Sequence, residues 1–236
     1  METSLKSLFL DILFPAHCLQ CGKEGIFLCD TCKSSLPLLP PVCIGCAMVS
    51  PAKDNKPPGQ TCTRCSTKTL VRVFISPLLY RAPLTRRLIH DLKYRRITAL
   101  APLLGDIIIS SMKYYHIELP AEALIISIPL HPRKERVRGS NQAELIARNL
   151  SQQLNRALDA QTLFRSIATP PQSALNATLR HKNVQNIFST QNSSHLHGKI
   201  IILVDDVKTT GATLEQAARA LKKAGAKQIW AITVAR

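Results

Sequence analysis

A run of apolar residues, KIIILV (199–204), leads into two adjacent carboxylates, Asp205 and Asp206, and then into Val207, Lys208, Thr209, Thr210, Gly211, Ala212 and Thr213. Each part of that order has a chemical use. Two acids side by side at a strand end can accept hydrogen bonds from the vicinal hydroxyls of a ribose, and can hold Mg²⁺ directly or through water. A Thr-Thr-Gly-Ala-Thr turn that opens a helix offers backbone N–H groups to a dianionic phosphate. Gly211 permits close approach because it has no Cβ, and three threonine hydroxyls add donors. The G-x-x-x-x-G-K spacing of a Walker loop is missing. A polar-capped strand–turn–helix and an acidic pocket of the response-regulator kind are the competing readings. Neither calls for two acids followed by T-T-G-x-T, which together suit a ribose 5-phosphate cradle.

A second set of residues is just as regular. All eight cysteines lie between positions 18 and 65, as four CxxC pairs: Cys18/Cys21, Cys29/Cys32, Cys43/Cys46 and Cys62/Cys65. A CxxC turn aims two thiolates at one point, and two such turns complete the tetrahedral shell of a structural zinc. Eight ligands make two Zn²⁺ sites. A disulfide framework needs an oxidising compartment, for which the sequence carries no export signal. A redox dithiol needs one pair, not four. Sequential pairing of the knuckles gives two short ribbons; a cross-brace is the alternative. A module of this size has few large apolar side chains, and metal binding worth about 10–16 kcal/mol per structural site would supply the missing stability. The Pro- and Gly-containing stretch 48–60 reads as a slack loop inside the second ribbon.

The elements that must position these groups follow from periodicity. ALIISI (123–128), KIIILV (199–204) and QIWAITVA (228–235) read as buried parallel strands. Asn141 and Glu144 open a helix carrying Leu145, Ile146, Leu150 and Leu154. Residues 213–224 form another, stopped by Gly225. A strand, VRVFISPLLY (71–80), and a basic helix with Arg86, Arg87, Lys93, Arg95 and Arg96 come before them. Strands alternating with helices mean an α/β fold with a mainly parallel sheet, and ligands at the carboxyl ends of its strands. The expected division is a zinc module with an N-terminal helix over residues 1–67 and an α/β domain over residues 68–236.

Composition agrees. Of the formal net charge of +16, residues 66–236 carry +15. A strongly basic domain attracts nucleic acid, nucleotides or phosphorylated substrates, though it can also be no more than a soluble surface. Two filled Zn(Cys)₄ sites lower the net charge to about +12. No apolar run reaches the roughly 18 residues of a membrane span. The segment LKSLFLDILF (5–14) carries Lys6 and Asp11 and has no cleavage site after it. It reads as an amphipathic helix, with a cytoplasmic location and no membrane insertion.

With these motifs in place the chain resembles the ComF-type proteins, a bacterial group with a double zinc ribbon ahead of a type I phosphoribosyltransferase fold. The resemblance rests on VDDVKTTGAT (204–213), LIHDLKYR (88–95), IPLHPRKERVRGSNQAELIAR (128–148), PQSAL (171–175) and RHKNVQNIF (180–188). It implies phosphoribosyl pyrophosphate as ligand, with Mg²⁺. Asp205 and Asp206 would fix the ribose and residues 207–213 the 5′-phosphate. The loop with Leu130, His131, Pro132, Arg133 and Lys134 would take the diphosphate. Arg138, Asn141 and Gln142, with Gln172, Arg180 and Asn183 of a flexible segment, would close over the substrate. Ser140 stands where the group has an aromatic, and Thr209 where purine phosphoribosyltransferases carry an Asp. The chain ends after its last strand, so any hood over an acceptor base must come from the zinc module and residues 66–96.

Two functions are consistent with this. One is transfer of a phosphoribosyl group to an unidentified nitrogenous acceptor, driven by electrostatic stabilisation of an oxocarbenium-like centre and a departing diphosphate. No general base stands out. The other, implied by the resemblance, is handling of single-stranded DNA during natural transformation, with a competence helicase or other DNA-processing proteins as partners. In that case the ligand would bind without turnover. Aromatic residues make up only 5% of the chain, which argues against a dedicated base-stacking platform. His90, His131, His181, His195 and His197 stand alone and do not suggest a metal site.

Overall fold

The computed structural model describes residues 15–53, 56–165 and 187–236. The amphipathic helix expected at 5–14 and the positions Gln172, Arg180 and Asn183 lie outside the described residues. Two short helices, α1 (Asp30–Ser34) and α2 (Thr63–Ser66), each start within a cysteine knuckle, with Cys29 and Cys62 as their N-caps. Then come β1 (Val71–Ile75), α3 (Pro83–Tyr94), α4 (Leu100–Tyr114), β2 (Leu124–Ser127), α5 (Pro132–Arg138), α6 (Gln142–Leu154) and β3 (Leu158–Asp159). The short strands β4 (Leu163–Arg165) and β5 (Phe188–Thr190) pair as an antiparallel hairpin. The chain continues through β6 (Ile200–Val207), α7 (Ala212–Lys223) and β7 (Gln228–Ala235).

The main sheet has the order β1-β7-β6-β2-β3, and every pairing in it is parallel. β6 and β7 are buried on both faces, which explains their unbroken apolar runs. Period-two alternation assigns their side chains to two cores. Ile202 and Val204 join α3, α4 and α6 on one face, and Ile201 and Leu203 join α7 and the hairpin on the other.

Helix α4 carries no clear stripe in the sequence because it is buried nearly all round: Leu100, Leu104, Ile107 and Ile108 are all at most 1% exposed. The zinc module is not a separate bead. Leu28, Cys29 and Cys32 pack into the first core, and Val42 and Ile44 into the second.

The end of the stretch 48–60 departs from the expected slack loop. Gln60 bridges to Val73 in antiparallel fashion, and the Phe74 N–H donates to the Gly59 carbonyl at 2.9 Å. This contact covers the free edge of β1. Gly59 has φ +83°, and a Cβ there would lie 2.4 Å from the Phe74 carbonyl oxygen, so only glycine allows the approach.

Candidate functional site

β6 does not end before the acids. It continues through Val207, and Asp205 pairs with Thr233 of β7. Successive residues of a strand face opposite sides, so the two carboxylates part company. Asp206 lies on the α3 side, where Lys93 Nζ sits 2.8 Å from its Oδ1. Asp205 lies on the α7 side, within the field of Arg165 at the end of β4. Its Oδ1 also accepts the Asp206 N–H at 2.8 Å. Burial raises the Asp205 carboxyl to about 7, and the Asp206 charge adds to this. The Asp206 N–H, Lys93 and Arg138 oppose the rise.

The turn after β6 is built as the sequence requires. Gly211 adopts φ +85° and caps α7, and Thr209, Thr210, Ala212 and Thr213 are exposed. The first N–H groups of an α-helix have no partners within it, and here the Thr210 hydroxyl accepts the Ala212 N–H at 3.3 Å. The Lys208 side chain lies against Gly211, its ammonium 5.7 Å from the centre of the Phe74 ring. Burial lowers its pKa, with help from Arg236.

The basic segment expected as a diphosphate loop is shorter as a loop than expected. Pro132, Arg133 and Lys134 belong to α5, whose N-cap is His131. The His131 Nδ1 accepts the Arg133 N–H at 3.2 Å, and proline at N1 suits a helix start. Leu130 remains in the connection from β2. Asn141 caps α6 through Ala143 N–H and donates to the Ile128 carbonyl at 3.0 Å, tying β2 to the helix. Gln142 is 1% exposed and accepts from Arg138 Nη1 at 3.1 Å. These two are fixed packing residues at the head of α6. The Arg138 guanidinium lies 5.5 Å from the centre of the Tyr94 ring.

Sequence reasoning missed Lys93, Tyr94 and Arg165 as site residues. Lys93 had a signal: it lies four residues after the buried Ile89 and beside the buried Leu92, and a lysine bordering an apolar stripe needs a partner. Arg165 had none, since its position depends on the hairpin.

The cysteines gather as two sequential tetrads, Cys18/Cys21/Cys29/Cys32 and Cys43/Cys46/Cys62/Cys65, each with its sulfurs within 4.8 Å of one another. Sulfur pairs lie at 3.7 and 3.9 Å in the first and at 3.8 and 3.9 Å in the second. A tetrahedral centre with Zn–S near 2.3 Å puts its sulfurs about 3.8 Å apart, so both tetrads fit zinc, and they are much too open for disulfides. Crowding splits the thiols of the metal-free ribbons. Backbone N–H groups, that of Cys21 first, lower Cys18 to about 6, whereas the hydrogen bond to Cys29 and burial raise Cys32 to about 12. Metal binding must therefore expel protons and weaken as pH falls.

A parallel sheet with an acid-tipped central strand and a glycine-capped turn into α7, preceded by two Cys₄ sites, defines a phosphoribosyltransferase-type domain with a double zinc ribbon. Residues 141–236 match the phosphoribosyl transferase domain family, and residues 9–69 the double zinc ribbon domain. DNA utilization protein YhgH of Salmonella typhi is 32% identical over 210 residues, covering 87% of this chain and 89% of that protein. Competence protein F of Haemophilus influenzae is 30% identical over 224 residues, covering 91% and 89%. The chain belongs to the ComF family. Among solved structures, a hypoxanthine phosphoribosyltransferase from Staphylococcus aureus overlaps 62% of each chain at 13% identity, with a TM-score of 0.33, a likeness too slight to carry weight. Among the described residues no helix is long and apolar enough to cross a membrane.

Proposed function

We propose that the chain binds phosphoribosyl pyrophosphate and transfers its phosphoribosyl group to a nitrogenous acceptor, in the service of incoming DNA. The observation that carries this is the continuity of β6, the acid pair and the exposed Thr209–Thr213 turn at the head of α7. The turn takes the 5′-phosphate, Asp205 and Asp206 the ribose hydroxyls, and the basic start of α5 with Arg138 the diphosphate. Catalysis is then electrostatic: fixed cations face a leaving group that gains charge as the glycosidic bond opens. The acid pair does not suit a resident Mg²⁺, because one carboxylate is paired with Lys93 and burial disfavours the charged form of the other. Mg²⁺ enters as part of the substrate, on the diphosphate. The division at residues 67 and 68 assigns this chemistry to the α/β part and stability to the zinc module.

The setting comes from the names of the relatives, which speak of DNA utilization and competence. Raised thermal stability with phosphoribosyl pyrophosphate and Mg²⁺, abolished in Asp205→Ala/Asp206→Ala, is the expected result. No rise with the unaltered chain sinks the reading. Screening nucleobases and oligonucleotides for diphosphate release would identify the acceptor.

One observation favours single-stranded DNA as a partner. Arg81, Arg86, Arg87, His90 and Arg95 line a single surface depression on α3, and the neighbouring Tyr94 is 62% exposed. Such a face supplies phosphate contacts and one stacking ring.

A further inference from the structure

The Lys93–Asp206 contact is no ordinary surface ion pair. The two side chains are only 16% and 13% exposed, and Nζ to Oδ1 is 2.8 Å. Exposed pairs contribute little because water screens them, but partial burial strengthens the attraction and makes loss of one partner costly. Among the described residues, the one acid of α3, Asp91, pairs with Arg87 and Arg95 and not with the lysine, at N···O distances of 3.9 and 3.5 Å. Lys93 projects instead from the inner side of the helix onto the tip of β6. Helix α3 is held in place there. Arg87 Nη1 donates to the Leu19 carbonyl of the first ribbon at 3.0 Å, and Arg96 Nη2 donates to the Val137 carbonyl of α5 at 2.8 Å. The cation thus arrives from a helix outside residues 141–236, the part that matches the phosphoribosyl transferase domain.

We propose that Lys93 is the built-in counter-ion of the acid pair: it fixes Asp206 for the ribose hydroxyls and fills the place a divalent cation would otherwise take, so that the sugar–phosphate half of the ligand binds without Mg²⁺. The inference rests on the phosphoribosyl pyrophosphate reading above. Lys93 engages one carboxylate oxygen of Asp206 and leaves the other to accept a hydroxyl. Without that ammonium, the Asp206 carboxylate has no counter-ion beside the buried Asp205. A divalent metal is then the simplest replacement. Lys93 is a positioning residue in this scheme and touches no reacting atom.

Ribose 5-phosphate separates the two halves of the claim, because it has the sugar and the phosphate but no diphosphate to carry Mg²⁺. Calorimetric titration of the full zinc-loaded chain, once with EDTA-treated buffer after removal of free chelator and once with millimolar Mg²⁺, should give nearly the same Kd. Lys93→Gln should weaken binding about tenfold or more without Mg²⁺, as expected for one lost partner of a part-buried charge pair. Mg²⁺ should restore most of that loss. Lys93→Arg, which keeps the charge, should behave like the unaltered chain.

A lysine that merely ties α3 to β6 predicts something else: a lower melting temperature and a Kd that Mg²⁺ does not recover. That result overturns the inference, as does a Lys93→Gln chain that binds ribose 5-phosphate normally in the absence of Mg²⁺. If Lys93→Gln does not fold, Lys93→Arg and Lys93→Met, which retain the aliphatic stem, carry the same comparison. A chain with Lys93 intact that binds neither ribose 5-phosphate nor phosphoribosyl pyrophosphate overturns the functional reading and this inference with it. Failure of the Lys93 variants alone leaves that reading standing.

Discussion

Asp205 shows how a residue placed for ligand binding in the proposed function would work against the fold that carries it. An aspartate in an unfolded chain titrates near 4, whereas burial raises Asp205 to about 7. Between those values the unfolded chain has lost a proton that the folded chain keeps, so stability falls as pH rises through that window. Below it both states are protonated and there is no loss. Without ligand or divalent metal, Asp205→Asn should therefore melt above the unaltered chain at pH 8 and together with it near pH 4. The same variant should lose the stabilisation by phosphoribosyl pyrophosphate. A melting difference that does not change with pH would show that folding leaves the titration of Asp205 where it stands in the unfolded chain. Asp206 has Lys93 beside it, with Nζ 2.8 Å from its Oδ1. Two acids adjacent in sequence thus have different electrostatic environments, because strand alternation sends them to different faces.

Among the elements, the zinc ribbons and the α/β fold hold each other. The Thr69 hydroxyl donates to Glu215 Oε2 at 2.8 Å and the Leu70 N–H donates to the same oxygen at 3.1 Å. Glu215 lies in the first turn of α7, directly after the phosphate turn. The exit of the second ribbon therefore steadies the helix that would bind phosphate. On the other side, Lys33 of α1 lies 3.7 Å from Asp106 of α4, and Tyr115 donates to the Leu38 carbonyl at 3.1 Å. Metal analysis should return two zinc ions per chain. Removing them should lower the melting temperature of the whole molecule in one transition, not release a separate module. An unchanged main transition in calorimetry after chelation would disprove this coupling. Glu215→Ala should cost about 1 kcal/mol, as expected for leaving part-buried donors unpaired.

For the molecule as a whole, charge sets the reach. The chain carries a net +16, and about +12 with both zinc sites filled. The arginines of α3 gather on one outer face while Lys93 of the same helix points inward. One helix thus separates an outer arginine-lined face from an inner lysine that meets Asp206. Oligonucleotide binding should weaken steeply with salt, with a slope near −0.7 per phosphate neutralised. Arg81→Glu with Arg86→Glu should flatten that slope in filter-binding titrations and leave ribose 5-phosphate binding intact. A slope that stays the same would place nucleic acid elsewhere or nowhere on the chain.

What the sequence determined by itself is whatever short-range pattern encodes. The apolar run of β6, the acid pair and the glycine-containing turn are contiguous, so their chemistry could be read in order. The four CxxC spacings likewise pointed to two zinc sites. Even these left gaps: the continuation of β6 through Val207 and the helical start at Pro132 depend on neighbours. Helix α4 escaped notice because burial on nearly all sides erases the polar–apolar alternation that marks a helix. Tertiary structure alone decided which knuckles share a metal, which edge the loop at Gly59 covers, and which acid meets Lys93. These are pairings between groups far apart in the chain. A charge on one helix has no local signature of the carboxylate it will meet, and only packing brings the two within 2.8 Å.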